Sequence, residues 1–486
     1  MFPESTITSL RDDLATVGFT LDGVRERLGE AGLAGLERNS SFPAAAALAG
    51  DDDAQADLIR LWVLGRPVPT ARVQAALTCT AELVDAGFLT VDGGTARAEV
   101  ELKPYGTDRM TGWLCSDRTP LDGRNPRPRP DFVLGASPAS TTLTQLVPPG
   151  HVGRVLDLGT GCGIQALNLD AGTIVATDVN PRALELARMT LGLSGVGADL
   201  RLGSLFEPVR GERFDLIVTN PPYVISPPTG ERLVYRETGF AGDDLMRLVV
   251  TGAPAHLAED GTLVVLGNWA ITDRPWEDRL ADWIEPSGCD ALVLQRERLD
   301  VFSYIELWLA DAGLVGSPDY DRSYAEWLDY FTASGITAVG MGWLALRNSG
   351  RERPEVRMEE WPHLVHQPVG GAVAEFFDAV GDARLGDAEM LAARWRRHDG
   401  LVQETLGEPG AADPEHLVLR QHFGFGRALE PGTALAAVVG ACDGDLPLGV
   451  LVDAVASLVG AEPGPLRAEV LAGVRRLVTE GFLQRA

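Results

Sequence analysis

The sequence predicts an α/β protein with a Rossmann-like sheet of seven strands, flanked on both sides by helical and winged-helix-like segments. Three observations predict it. Short apolar, β-branched runs alternate with helical patterns through the middle of the chain. One run feeds a loop with glycine at alternate positions, 159, 161 and 163. Another stops at Asn220-Pro221-Pro222-Tyr223, four residues that cannot continue a strand.

The first strand is Arg154-Val-Leu-Asp157-Leu, and its loop is Gly159-Thr160-Gly161-Cys162-Gly163, opening a helix at Ile164. Glycine there lets a ligand approach the backbone closely. The spacing is not the Gly-x-Gly-x-x-Gly of dinucleotide sites, and no Gly-Lys-Ser/Thr follows. A loop without phosphate-binding features, preceded by Asp157, suits a phosphate-free zwitterionic nucleoside. S-adenosylmethionine (AdoMet) is one, and Asp157 would attract its ammonium directly or through water. The second strand, Thr173 to Asp178, ends in a carboxylate placed to accept both ribose hydroxyls, with Val179 beside it. Asn180 is a helix N-cap and Pro181 the first helical residue. A third strand, Ala198 to Leu202, leads through Gly203 into Ser204 and Leu205 beside the adenine.

Phe214-Asp-Leu-Ile-Val-Thr219 is a buried parallel strand. Pro221 and Pro222 lack an N–H and have φ fixed near −65°, so the chain must stop and present Asn220 at a strand's carboxyl end. There the Asn220 amide oxygen and the Pro221 carbonyl can each accept one N–H of a flat amino group, and Tyr223 can stack on it. A Pro-Pro turn with a buried tyrosine is the bland alternative, and the glycine loop and Asp178 upstream decide against it. Strands five to seven follow at Gly261–Leu266, Asp290–Gln295 and Thr337–Leu346.

With these motifs in order, residues of about 131–348 resemble a class I AdoMet-dependent methyltransferase. The Asn-Pro-Pro-Tyr motif is similar to that of amino- and amide-N-methyltransferases, above all the release-factor glutamine methyltransferases of the small-methyltransferase-domain family. Tyr235-Arg236-Glu-Thr-Gly239 and Gly242-Asp243-Asp244-Leu245 resemble a further segment of those enzymes. The resemblance implies that Asp157 and the glycines hold the methionine end of AdoMet, Asp178 the ribose, and Asn220 with the Pro221 carbonyl the acceptor. In this class the segment before the first strand often lies over AdoMet. Here Ser140 and Thr141 would contact its carboxylate, or Ser140 is a helix cap. Ser204 stands where those enzymes commonly carry an acidic residue, and their amino-terminal helical bundle is not clearly reproduced.

The chain has 486 residues, enough for about three domains: 1–130, 131–348 and 349–486. Its formal charge is −27 and each of the three segments is acidic, against a large phosphate-binding footprint. Lys103 to Pro130 is locally basic, with Arg124, Arg127 and Arg129, and reads as a nucleic-acid contact or a solvated Pro-rich linker. The five cysteines form no Cys-x-x-Cys pair and fit reduced, cytoplasmic thiols. His363 and His366 lack partners at metal-ligand spacing, so no metal is expected. No signal region or membrane-length window is apparent. Helix–turn–helix–hairpin order near residues 57–95 resembles a winged helix, and Leu83-Val84-x-x-Gly87-Phe88-Leu89 recurs as Leu477-Val478-x-x-Gly481-Phe482-Leu483. Such modules bind nucleic acid or, when acidic, dock proteins. Residues 350–430 read as mainly helical.

The expectation is an AdoMet-dependent N-methyltransferase acting on a planar nitrogen of a macromolecule, with a protein glutamine as leading acceptor. An exocyclic amine of RNA or DNA is the alternative, and an AdoMet-binding regulator without catalysis is a third. The oligomeric state is left open.

Overall fold

The computed structural model describes residues 3–122, 129–228, 240–408 and 415–486. They form two compact units, one of residues 1–144 and 151–359, the other of residues 145–150 and 360–486. Arg124, Arg127 and the Tyr235–Gly239 segment lie outside the described residues.

The first unit begins with helices α1 (Glu4–Thr16), α2 (Leu21–Glu37), α3 (Phe42–Ala47) and α4 (Ala54–Leu58). A π-helical turn, Ile59–Val63, extends α4 into β1 (Val68–Pro69), α5 (Thr70–Ala76), α6 (Thr80–Asp85), β2 (Leu89–Asp92) and β3 (Thr95–Ala98). The three strands lie in the order β1-β3-β2, the helix–strand–helix–helix–hairpin order of a winged helix. A separate hairpin follows, β4 (Val100–Gly106) with β5 (Thr111–Asp117).

The sheet that carries the site comes next. After α7 (Pro138–Leu146) the chain runs through β6 (Val152–Leu158), α8 (Ile164–Asn168), β7 (Ala171–Asp178), α9 (Pro181–Leu193), β8 (Asp199–Leu202) and β9 (Phe214–Thr219). It continues with α10 (Asp244–Gly252), β10 (Leu257–Ile271), α11 (Trp276–Ile284), β11 (Asp290–Asp300), α12 (Val301–Asp311), α13 (Tyr320–Ala333), β12 (Ala338–Arg347) and β13 (Val356–Glu360). The strand order is β13-β11-β12-β10-β9-β6-β7-β8. β8, β7, β6, β9 and β10 pair in parallel, while β12 runs antiparallel to both β10 and β11. The seven expected strands are joined by an eighth, β13, at the edge beside β11, where Glu355 receives the Ala291 N–H at 2.7 Å. Its local sequence, Val-Arg-Met-Glu-Glu, carries too few apolar residues to announce a strand.

Helices cover both faces because the strands are apolar on both. Four consecutive residues of β6 and of β9 are buried, Val155–Leu158 and Leu216–Thr219. In α9, Ala183, Leu186, Ala187 and Thr190 repeat at three- and four-residue spacing and are buried. Asn180 caps this helix by accepting the Arg182 N–H at 3.0 Å, with Pro181 at its first position. The order reverses between β6 and β9, and a cleft opens there at the carboxyl ends of the strands.

The second unit holds α14 (Gly370–Ala383), α15 (Asp387–Ala392), β14 (Arg394–Arg397), a small sheet of β15 (Leu401–Leu406), β16 (His416–Gln421) and β17 (Ala428–Leu429), and then α16 (Thr433–Ala441), β18 (Asp443–Pro447), α17 (Leu448–Val459), α18 (Pro463–Thr479) and β19 (Leu483–Arg485). The stretch of residues 350–430, read as mainly helical, therefore contains five strands among its described residues, β13 to β17; the apolar Leu-Val-Leu run of β16 was one signal of them. The terminal elements repeat the order of the amino-terminal module, but the middle strand between β18 and β19 is β14, drawn from earlier in the chain. The shared heptapeptides fold alike. Phe88 N–H bonds Leu83 O at 2.9 Å and Phe482 N–H bonds Leu477 O at 2.8 Å. Gly87 and Gly481 take φ of 74° and 77°, the left-handed ending that lets a helix turn into a strand.

Candidate active site

At the switch point lies a cavity of about 400 Å³, within the range of small-molecule sites. Of the residues expected at a site, it gathers Ser140, Gly159, Thr160, Gly161, Asp178, Val179, Ser204, Leu205, Asn220, Pro221 and Pro222. Asp157, Thr141, Gly163 and Tyr223 are not on its wall.

The glycine loop shows why three glycines occur. Gly159 and Gly161 have φ of 75° and 56°, and a methyl group on either would meet only open space. Gly163 instead packs on α9, where a Cβ would come 3.2 Å from Ala187. Two glycines shape the cavity and the third seats a helix.

Asp157 lies beneath the loop, 1% exposed. Its Oδ2 accepts the Thr160 hydroxyl at 2.6 Å and the Ala166 N–H at 3.0 Å, so it staples the loop to α8. Burial pushes its acid up to about 6, against those two hydrogen bonds, and nearby Asp178 adds to the rise. Asp178 accepts the Gly161 N–H at 2.9 Å on Oδ2 and the Asn180 N–H at 2.8 Å on Oδ1. Each oxygen keeps a lone pair for another donor. Its pKa is also raised by burial, with the backbone N–H groups opposing. Two desolvated carboxylates so close favour a ligand that brings positive charge.

Val179 is 58% exposed, and Leu205 has φ of 48°, a strained geometry for a branched side chain that keeps it on the wall. Ser140 is 4% exposed and hydrogen-bonds Ser137, whose hydroxyl accepts the Ser140 N–H at 3.2 Å. Ser137 is thus the cap of α7. Thr141 faces solvent. Cys162 is buried with its thiol pushed up to about 12 by desolvation, a packing residue with no thiolate to offer.

Across the cavity, β9 ends with Thr219, whose hydroxyl holds Leu158 O at 2.6 Å. Asn220 Oδ1 is buried and has no hydrogen-bond partner among the described residues. Such an atom costs about 1–3 kcal/mol unless something donates to it. Tyr223 packs between the core under α10 and α11 and the core of α12 and α13. Burial raises its phenol pKa, with Asp311 adding to the rise. From α12, the buried Tyr304 hydroxyl accepts the Ile225 N–H and the Asn268 Nδ2, both at 3.0 Å, and so fixes the chain just beyond the motif. From α13, the Tyr330 hydroxyl accepts the Gly242 N–H at 2.8 Å; Asp243 accepts the Ala270 N–H at 2.8 Å and is held by Arg279. Phe132–Gly135, in the segment expected to lie over AdoMet, also line it, as do Gln165, Phe240, Leu245 and Val249. Of these, Gln165, Phe240 and Val249 were not expected, since single residues in loops and helices carry no local signal of a site. Among the described residues, no group of three His, Cys, Asp or Glu side chains could hold a metal ion.

Fold and cavity together define a class I methyltransferase domain. The family model for the methyltransferase small domain matches residues 136–281, and a domain of unknown function (DUF7059) matches residues 16–99. The ribosomal protein uL3 glutamine methyltransferase of Bordetella pertussis is 34% identical over 216 residues, 39% of this chain and 70% of the relative. The release factor glutamine methyltransferase of Cereibacter sphaeroides is 30% identical over 242 residues, 45% of this chain and 80% of the relative. The chain belongs to this family of glutamine methyltransferases. It spans only part of other relatives: the uL3 enzyme of Bradyrhizobium diazoefficiens is 38% identical over 130 residues, 24% of this chain and 41% of the relative.

Proposed function

We propose that the protein is an AdoMet-dependent N-methyltransferase whose acceptor is the side-chain amide of a protein glutamine. The observation that carries this reading is Asn220 Oδ1, a buried acceptor without a donor among the described residues, on the same cavity as the glycine loop and Asp178. AdoMet supplies an electrophilic methyl on a sulfonium. The chain's residues do the rest. Gly159 and Gly161 leave room for the methionine end, Asp178 takes the ribose, and Val179 and Leu205 flank the base. Asp157 acts through the loop that it staples. Asn220 Oδ1 and the Pro221 carbonyl each accept one amide N–H, which aims the nitrogen lone pair and favours the tetrahedral nitrogen of the transition state. Tyr223 supports the motif from behind.

A protein acceptor fits the charge distribution better than a nucleobase. Helix α6, which takes the recognition-helix position of the amino-terminal module, carries Glu82 and Asp85 and no basic residue. In α18, Arg467, Arg475 and Arg476 are paired with Asp453, Asp387 and Glu480. Within the basic 103–130 stretch, Lys103 pairs with Glu101, Arg118 donates to backbone carbonyls, and Arg129 pairs with Asp117. Among the described residues, no helix is long and apolar enough to cross a membrane.

The test is incubation with methyl-labelled AdoMet and a cell lysate, followed by protease or nuclease. Label released by protease and recovered as N-methylglutamine supports the reading. Label released by nuclease would replace the glutamine with a nucleobase amine.

A further inference from the structure

Asp117 closes β5 in the stretch between the two matched family spans, 16–99 and 136–281. Its side chain is 5% exposed. It accepts the Val133 N–H at 2.8 Å, the Arg182 Nε at 3.0 and 3.1 Å, a further bond from the Arg182 Nη2, and the Arg129 Nη2 at 3.2 Å. Its own N–H bonds Val133 O at 3.0 Å. Close by, Asn180 Nδ2 donates to Asp131 O at 2.9 Å.

These bonds join two walls of the cavity. Residues Phe132–Gly135 cover it, while Asp178, Val179 and Asn180 form its ribose side at the start of α9. Both segments converge on one buried carboxylate contributed by the hairpin upstream. We infer that Asp117 is a positioning residue for the methyl donor: it latches the 129–135 cover to the amino end of α9 and thereby sets AdoMet affinity without touching a reactant. The inference rests on the reading of this cavity as an AdoMet site. A guanidinium held by both carboxylate oxygens is fixed in angle as well as distance. Loss of the carboxylate takes from Arg182 its bidentate partner and leaves the cover tied to α9 by the Asn180 amide alone.

The test compares Asp117→Asn, Arg182→Lys and Arg129→Ala with the wild type, using calorimetric titration with AdoMet and with S-adenosylhomocysteine. Asp117→Asn keeps the shape but cannot hold the guanidinium on two anionic oxygens; Arg182→Lys keeps the charge but not the fork. Both should raise Kd about tenfold or more, with kcat at saturating AdoMet within about twofold. Arg129→Ala, at a half-exposed side chain, should raise Kd by about twofold to threefold. Hydrogen exchange in residues 129–135 should quicken in the liganded variants. A folded Asp117→Asn with wild-type Kd, or one that loses kcat at unchanged Kd, overturns the inference. If Asp117→Asn does not fold, unchanged Kd in both arginine variants overturns it. Failure of the wild type to bind either ligand would instead sink the reading of the cavity itself.

Discussion

The two walls of the cavity, proposed to take the methyl donor and the acceptor, follow opposite rules. On the donor side both carboxylates, Asp178 on the wall and Asp157 behind it, are already hydrogen-bonded: Asp157 to Thr160 and Ala166, Asp178 to Gly161 and Asn180. What they lack is a counter-charge, since burial has raised both pKa values. On the acceptor side Asn220 lacks a hydrogen-bond partner among the described residues and carries no charge. One wall awaits a cation and the other awaits a donor N–H. A sulfonium compound with an α-ammonium group and a primary amide meet those two needs separately, so the two walls should be separable by mutation.

The strongest way to break the comparison is Asn220→Ala. It removes the atom proposed to aim the nitrogen, and turnover should fall about 10²–10³-fold, as for loss of one transition-state hydrogen-bonding group. AdoMet Kd should stay within about twofold, because none of the donor-side hydrogen bonds involves Asn220. Parallel calorimetry and methyl-transfer assays decide it. A large loss of AdoMet affinity would mean that the walls are not independent.

Asp178→Ala is the converse. It deletes the proposed ribose acceptor and strands the Gly161 and Asn180 N–H groups, so AdoMet Kd should rise about 10–10²-fold, equivalent to one or two lost charged hydrogen bonds. With saturating AdoMet, kcat should recover to near the wild-type value. A kcat defect that persists at saturation would assign Asp178 a part in the chemistry.

The pH dependence sharpens the donor side. Asp157 ionises near 6 in the free protein, above its ordinary value of 3.8. If the anion is what favours the cationic ligand, AdoMet affinity should be highest above about pH 6 and fall on acidification by up to about tenfold per unit. Stability should respond to this group in the opposite sense. The folded state holds the proton more tightly than the unfolded one, so the group's penalty is present in full above pH 6 and fades as pH falls toward 3.8. Asp157→Asn should flatten both profiles. An affinity profile in Asp157→Asn that matches the wild type would assign the ionisation elsewhere.

The same contrast explains what was legible in the sequence. The glycine loop, Asp178 and Asn220-Pro-Pro were readable because each is a short run whose backbone chemistry requires those residue types in that order. The alternation of strands and helices was readable for the same reason. The contacts of Asp157 with Thr160 and Ala166 were not, because a carboxylate before a glycine loop looks the same whether it faces the ligand or the helix behind it. Tyr223 was aimed at the acceptor by its place in the motif, but α12 and α13, more than 70 residues away, supply the core that takes its ring. Asp117 meets Arg182 across 65 residues, and β14 enters a sheet with β18 and β19 from far upstream. Local pattern carries the ligand-facing loops; the supports behind them depend on tertiary pairing.

The smallest effect tests whether strain on the donor wall serves the ligand. Leu205 sits at φ of 48° with its side chain on the cavity, a backbone state that costs a non-glycine residue about 1–2 kcal/mol. Leu205→Gly relieves that strain but frees the unfolded chain by a comparable amount, so thermal stability should change by less than about 1 kcal/mol. Removal of the apolar side chain should nevertheless weaken AdoMet binding by about threefold to tenfold, the worth of one partly buried aliphatic contact. The acceptor wall should not notice, and turnover at saturating AdoMet should stay within about twofold of wild type. If instead Leu205→Gly is clearly more stable and binds AdoMet as well as the wild type, the strained leucine is not retained for the ligand, and the base must be gripped by Val179 and Ser204 without it.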